Sequence, residues 1–129
     1  MSRITLRIDL EGHGSIGPGK IRLLELVDEH GSIQKAAAAM GMSYAHAWKL
    51  VRDTSATFGA PLVDASTGGA AGGGTKLTAL GRKVLALYRR AEQRAAKAAE
   101  NEVDLLKKTA RGRGAFHRTI KPKQHARAG

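Results

Sequence analysis

The sequence predicts a mostly α fold with one small β-hairpin and a long C-terminal helix. Three observations carry that expectation. Apolar residues recur at helical spacing in three stretches between residues 18 and 58. Two short apolar segments flank a glycine-rich run at 67–74. An amphipathic stretch then continues to about residue 106. The chain has 129 residues, room for one domain of ordinary size and a small appendage. Hydrophobic residues make up 42% of it, but 22 are alanine, with two Phe, two Tyr and one Trp. That composition fills a modest core and excludes a large cofactor cavity walled by aromatic rings.

The elements follow in order. Ile4-Thr5-Leu6-Arg7-Ile8-Asp9-Leu10 alternates apolar and polar residues, the period-two mark of a half-buried strand. Residues 12–19 read as a glycine-rich turn, with Pro18 suited to a first helical turn. Ile21, Leu23, Leu24, Leu26 and Val27 give a helix to His30, and Gly31 fits its left-handed C-terminal position. Ser32 caps a second helix through Ile33 and four alanines to Met40. Gly41 interrupts, Ser43 caps again, and a third helix spans about 44–58 until Pro61 blocks continuation. Leu62-Val63 starts a strand whose partner ends at Leu77-Thr78. The last helix places Leu80, Val84, Leu87, Ala91, Ala98 and Leu105 at heptad-like spacing, interrupted by Arg94 and Asn101. The expected division is residues 1–78 as a compact domain, 79–106 as a helix for dimerisation, and 107–129 as a disordered basic tail.

Charge narrows the partners. Lys and Arg total 22 against 11 Asp and Glu, a net +11. Residues 107–129 hold Lys107, Lys108, Arg111, Arg113, Arg118, Lys121, Lys123 and Arg127 and no acid. Such a surplus favours a polyanion, and the tail reads either as a phosphate-binding arm or as a solubilising extension. The absence of cysteine excludes disulfide scaffolds, thiolate zinc sites and cysteine nucleophiles. No apolar run approaches the ~18 residues of a membrane span, and no signal-peptide core stands at the N-terminus. The expectation is a soluble cytoplasmic protein near the nucleoid, with no membrane partner.

Two glycine motifs mislead. Gly12-His13-Gly14-Ser15-Ile16-Gly17 matches GxGxxG, yet Gly31-Ser32 leads into another helix where a dinucleotide site needs a parallel strand. The run from Gly68 to Lys76 has Thr before Lys and a strand after it, the reverse of a Walker loop. His13, His30, His46, His117 and His125 lack metal-ligand spacing. Glu25, Asp28 and Glu29 have no paired nucleophile and read as a solvated face. The expectation is no enzyme, no catalytic residue, no metal and no cofactor.

The informative stretch is 31–58. A helix-turn-helix needs a small residue where its second helix crosses the first, and Ala37 is there. Four residues later the tight turn needs tolerance of positive φ, and Gly41 supplies it. Met40 and Met42 flank the turn, and Ala47 and Leu50 occupy inward positions of the next helix. An ordinary αα-hairpin is the plain alternative. In a recognition helix over 43–58, Ala47, Leu50, Val51 and Phe58 point to the core. Tyr44, Ala45, His46 and Lys49 point outward, and Ser43 offers its hydroxyl or backbone N–H to a phosphate. Tyr44 can stack or donate, Ala45 can touch a thymine methyl, and His46 can donate to a purine edge. Trp48 reads as core more readily than as a DNA contact. The glycine-rich hairpin then reads as a wing, with Thr75 and Lys76 placed to reach the DNA backbone, or else as a merely flexible loop.

Ile16-Gly17-Pro18-Gly19-Lys20, Gly31-Ser32-Ile33, Ala36-Ala37, Met40-Gly41-Met42-Ser43-Tyr44, Ala47-Trp48, Pro61-Leu62-Val63, Gly68-Gly69, Gly72-Gly73-Gly74 and Leu77-Thr78 together strongly resemble a known domain. It is the N-terminal DNA-binding domain of ModE-type molybdate-responsive transcriptional regulators, a winged helix-turn-helix related to the LysR type. The resemblance spans about residues 4–90. It implies a homodimer joined partly through the long terminal helix, with Leu80, Val84, Leu87 and Ala91 as its face, on a palindromic operator in double-stranded DNA. Full-length members carry C-terminal molybdate-binding domains that this sequence does not extend to. Members often have a basic residue where Ala45 stands. The expected function is therefore sequence-specific regulation of molybdate-related genes without an attached molybdate domain. The rivals are an architectural protein that coats DNA, and a DNA-binding module paired with a separate effector-binding protein.

Overall fold

The computed structural model describes residues 2–65 and 74–112. The order is β1 (Ile8–Leu10), β2 (Gly14–Ile16), α1 (Pro18–His30), α2 (Ile33–Ala39), α3 (Tyr44–Phe58), β3 (Val63–Ala65), β4 (Thr75–Leu77), α4 (Ala79–Ala98) and α5 (Glu100–Thr109). The strands make two separate antiparallel hairpins. Ile8 pairs with Ile16 in the first, and Val63 with Leu77 in the second.

The first hairpin departs from the expectation of one strand followed by a turn. Gly12 and Gly14 adopt φ of 77° and 102°, and His13 N–H bonds back to Leu10 O at 2.7 Å. Those left-handed positions close a tight turn that only glycine accepts cheaply, so Ser15 and Ile16 come back alongside β1. Ile16 is then buried at the foot of α1.

Helices α1, α2 and α3 stop and start where capping chemistry dictates. Gly31 takes φ 67° after α1. Ser32 Oγ accepts the Lys35 N–H, and Ser43 Oγ accepts the His46 N–H, each at 3.1 Å. A side-chain cap of this kind stabilises a helix by about 1 kcal/mol. Gly41 turns the chain at φ 69°, and Met42 N–H bonds Ala37 O at 3.0 Å. Ala37, with no side chain beyond Cβ, lets α3 cross there. Helix α3 ends at Phe58, where the sequence places its end, and Gly59, at φ 72°, closes it ahead of Pro61.

The core sits under these three helices. Ile21, Leu23, Leu24 and Val27 of α1 meet Ile33, Ala36 and Ala37 of α2, Ala47 and Val51 of α3, and Leu62 and Leu77 of the second hairpin. Thr54 is the buried polar exception, and its hydroxyl donates to Leu50 O at 2.7 Å. Leu50 and Phe58 pack against the core half-buried.

The C-terminal part differs from one helix over 79–106. It is two helices that meet at Ala99 (φ −103°, ψ 16°), and the second runs to Thr109. The bonds Ala99 N–H to Ala95 O and Val103 N–H to Ala99 O carry the ladder across the bend. Neither proline nor glycine stands at the bend, and nothing in the structure explains it. Lys107 and Lys108 lie in the last turn of α5 and not in a tail. Cations there complement the helix dipole, and Lys108 also meets Asp104 at 3.1 Å. The expected disordered tail beyond that, 113–129, lies outside the described residues, as does the glycine-rich wing loop 66–73.

Two contacts fix α4 to the body. The Tyr88 hydroxyl donates to Leu6 O at 2.5 Å. The Arg89 guanidinium grips Glu25 of α1 through Nε and Nη2, at 2.8 and 2.6 Å, and meets Glu92 through Nη1 at 2.6 Å. The hydrogen bonds from Arg89, partly opposed by burial, hold the Glu25 carboxyl below its ordinary value, and the same pair raises Arg89.

Candidate nucleic-acid interface

The first turns of α3 present a polar, exposed strip, while the opposite side of the helix is locked inward. Ala47, Val51 and Thr54 are buried. Tyr44, Ala45, His46 and Lys49 are all exposed. Spacing of three and four residues between the buried positions turns the intervening ones outward, so orientation follows from packing. Tyr44 is 53% exposed and stands edge-on to Trp48, ring centroids 6.3 Å apart at 86°. Trp48 itself is half-buried against the core, so its ring supports Tyr44 from below.

Ser43 sits at the mouth of the helix with its oxygen occupied by the His46 N–H. The hydroxyl proton is still able to donate to a phosphate. Lys49 is not solitary: its Nζ meets Asp53 Oδ2 at 2.9 Å. That bond, opposed in part by desolvation, lowers the Asp53 carboxyl. Sequence reading passed over Asp53, which lies one turn beyond Lys49, and also over exposed Arg52. An i,i+4 pairing of opposite charges was the signal available for the first. A phosphate would have to draw Lys49 away from Asp53.

The second hairpin places Thr75 and Lys76 on β4. Lys76 is exposed, directly across the ladder from Asp64. Thr75 is half-buried because its N–H bonds Gly31 O at 2.9 Å, pinning β4 to the end of α1. A side chain at Gly74 would crowd that same Gly31 oxygen at 3.3 Å. The hairpin base is tied down further by Thr78, whose hydroxyl donates to Pro61 O at 2.8 Å and accepts the Gly81 N–H at 3.0 Å.

The four residues expected on a dimer face separate into two groups. Val84 is 6% exposed and belongs to the core of its own chain, because α4 turns that side toward α1. Leu87 is 51% exposed, while Leu80 and Ala91 are half-buried. Among the described residues no group of three or more His, Cys, Asp or Glu could hold a metal ion. No helix among them is long and apolar enough to cross a membrane.

Comparison with known proteins agrees with this architecture. The family of bacterial regulatory helix-turn-helix proteins of lysR type matches residues 19–82. The molybdenum transport protein ModE of Azotobacter vinelandii is 37% identical over 87 residues, covering 67% of this chain and 32% of that protein. The molybdenum-pterin-binding protein MopA of Rhodobacter capsulatus is 38% identical over 81 residues, covering 63% and 31%. The DNA-binding transcriptional dual regulator ModE of Escherichia coli K12 is 33% identical over 87 residues, covering 67% and 33%. The chain thus spans about a third of the length of these relatives. Among solved structures, the CbnR DNA-binding domain in its complex with DNA superposes with a TM-score of 0.51 at 21% identity. That match covers 65% of this chain and 91% of that one.

Proposed function

From residues 19–82, which form a regulatory helix-turn-helix domain of the lysR family, we propose that this chain is a sequence-specific DNA-binding regulator of transcription. Its targets are molybdate-related genes, and it acts in the cytoplasm as a homodimer. The observation that carries the reading is the orientation of α3. Ala47 and Val51 hold the helix in the core while Tyr44, Ala45, His46 and Lys49 project from its N-terminal half. Helix-turn-helix proteins lay that half of the second helix against base edges in the major groove. The relatives named ModE give the reading its gene class.

In this arrangement His46 and Tyr44 read bases, Ala45 allows close approach, and Ser43, Lys49, Thr75 and Lys76 hold phosphates. Occupancy of an operator then blocks or recruits polymerase.

A second reading, an architectural protein that coats DNA, draws on the basic residues beyond α5. Truncation after Thr109 keeps α5 and removes Arg111, Arg113, Arg118, Lys121, Lys123 and Arg127. A regulator retains its preference for one site over random DNA, with a shallower salt dependence. Every phosphate that a Lys or Arg no longer neutralises flattens the slope of log affinity against log salt by about 0.9. A coating protein loses most of its binding and has no preference to retain.

A further inference from the structure

The inward side of α3 is set by Ala47, Leu50, Val51, Thr54 and Phe58, which are buried or packed against the core. An α-helix turns about 100° per residue, so the direction opposite those five runs, to within about 40°, through Ala45, Lys49, Arg52 and Ala56. All four are exposed, and they make the outermost line of the helix. Alanine stands at both ends of that line, so only its middle carries reach and charge. Lys49 is tied to Asp53, which stands further round the helix and holds its Nζ at 2.9 Å. Arg52 remains. Among the described residues it forms no ion pair. We infer that Arg52 reads a guanine in the major groove, so that recognition extends past the first turn into the middle of α3. This deepens the proposed function and rests on its placing of α3 in the groove.

Position decides between base and phosphate. In the major groove, phosphates line the two walls and base edges make the floor. A helix lying there turns its flanks to the walls and its outermost line to the floor. The small side chains of Ala45 and Ala56 let the backbone sit close to that floor, within reach of a long side chain between them. Chemistry then selects the base. The planar guanidinium of arginine presents paired N–H donors in a fixed fork. Guanine offers two acceptors, O6 and N7, side by side on its groove edge. Adenine sets a donor beside its one acceptor, cytosine offers a donor, and thymine has one acceptor next to a methyl group. Two parallel hydrogen bonds from Arg52 are therefore available on guanine alone.

Selection from random duplex DNA by the full chain supplies the preferred site, and the full-length Arg52→Ala variant repeats the selection. Arg52 is exposed, so its truncation spares the core, and circular dichroism verifies that the variant is folded. The expected pool loses one guanine from the motif and keeps the other positions. Affinity for the preferred site falls roughly fivefold to a hundredfold, and affinity for random duplex far less. A second readout changes the DNA and leaves the protein alone. Replacing that guanine by 7-deazaguanine removes N7 and preserves base pairing. It weakens the wild-type chain several-fold and leaves Arg52→Ala indifferent. An Arg52→Ala pool that keeps every guanine, or equal weakening on preferred and random DNA, overturns the inference while the proposed function stands. So does a 7-deazaguanine site that costs both proteins alike, because another residue then reads the base. A wild-type chain that enriches no motif overturns both.

Discussion

Gly81 is where α4 leans on the backbone of Leu62, just before β3, and a single methyl group there would push them apart. A Cβ at Gly81 would overlap the Leu62 carbonyl oxygen and lie 3.1 Å from its carbon and 3.4 Å from Leu62 Cα. The obstacle is backbone, which cannot swing away as a side chain would. That oxygen also accepts the Thr78 N–H at 2.9 Å, and the Leu62 N–H donates to Ser55 Oγ at 3.1 Å. Leu62 itself is fully buried. Overpacking of this kind costs about 1–3 kcal/mol, and weakening the Thr78 bond adds about 1 kcal/mol. The intrinsic helix preference for alanine over glycine returns about 1 kcal/mol. Gly81→Ala should therefore destabilise the chain by about 1–3 kcal/mol, a fall in melting temperature on the order of 4–12 °C. Gly19→Ala is the control. A Cβ there meets nothing within 4 Å in the first turn of α1, so the change should be neutral or stabilising by up to about 1 kcal/mol. Urea and thermal unfolding followed by circular dichroism measure both. If Gly81→Ala matched the wild type, the close packing of α4 on Leu62 would be refuted.

Four further outcomes follow from the interface and the packing around it. His46→Ala should cost about 1–3 kcal/mol on the preferred DNA site and relax preference at one or two base pairs, measured by fluorescence anisotropy. Lys76→Ala, at the base of the wing, should weaken preferred and random DNA alike and reduce the salt slope by about one. The reverse pattern would mean that the two residues' roles are exchanged. Leu87→Asp places a charge on the exposed apolar face of α4, so sedimentation should give a folded monomer with weak operator binding. A variant that stays dimeric would remove Leu87 from the interface. Glu25→Gln should lower stability by about 1 kcal/mol at neutral pH. The Arg89 hydrogen bonds keep Glu25 ionised below its usual range, so its contribution is complete above the unfolded value of about 4.3. It fades as pH falls through the lower folded value. The gap between variant and wild type should accordingly close below about pH 4, and a constant gap would show that Glu25 does not act through its charge.

The helix-turn-helix was legible because its constraints are local. Ala37, Gly41, Ser43 and Ala47 each have a steric or capping task that depends only on neighbours along the chain, and the structure meets those tasks at those residues. The first hairpin was not legible. Gly14 in a strand carries no side chain to alternate, and the same glycines that read as a turn supply the positive φ that folds the second strand back. The fate of Val84 was also hidden. Its heptad spacing fits an outward face equally well, and only the approach of α4 to α1, clamped by Arg89 on Glu25, turns it inward. The Lys49–Asp53 pair was readable from its i,i+4 spacing, but a basic residue on a recognition helix draws attention to DNA before it draws attention to its own neighbour.

Reading of base sequence by α3 is the claim on which the rest depends, and selection from a random pool of duplex DNA tests it most directly. The full chain, at a salt concentration that suppresses non-specific phosphate binding, should enrich one short motif. As a dimer it should enrich that motif in two inverted copies, because protein symmetry is mirrored in the site. His46→Ala should blur one or two positions within each copy. A pool that emerges with no enriched motif, while still binding the protein tightly at low salt, would contradict sequence-specific regulation and leave a protein that coats DNA.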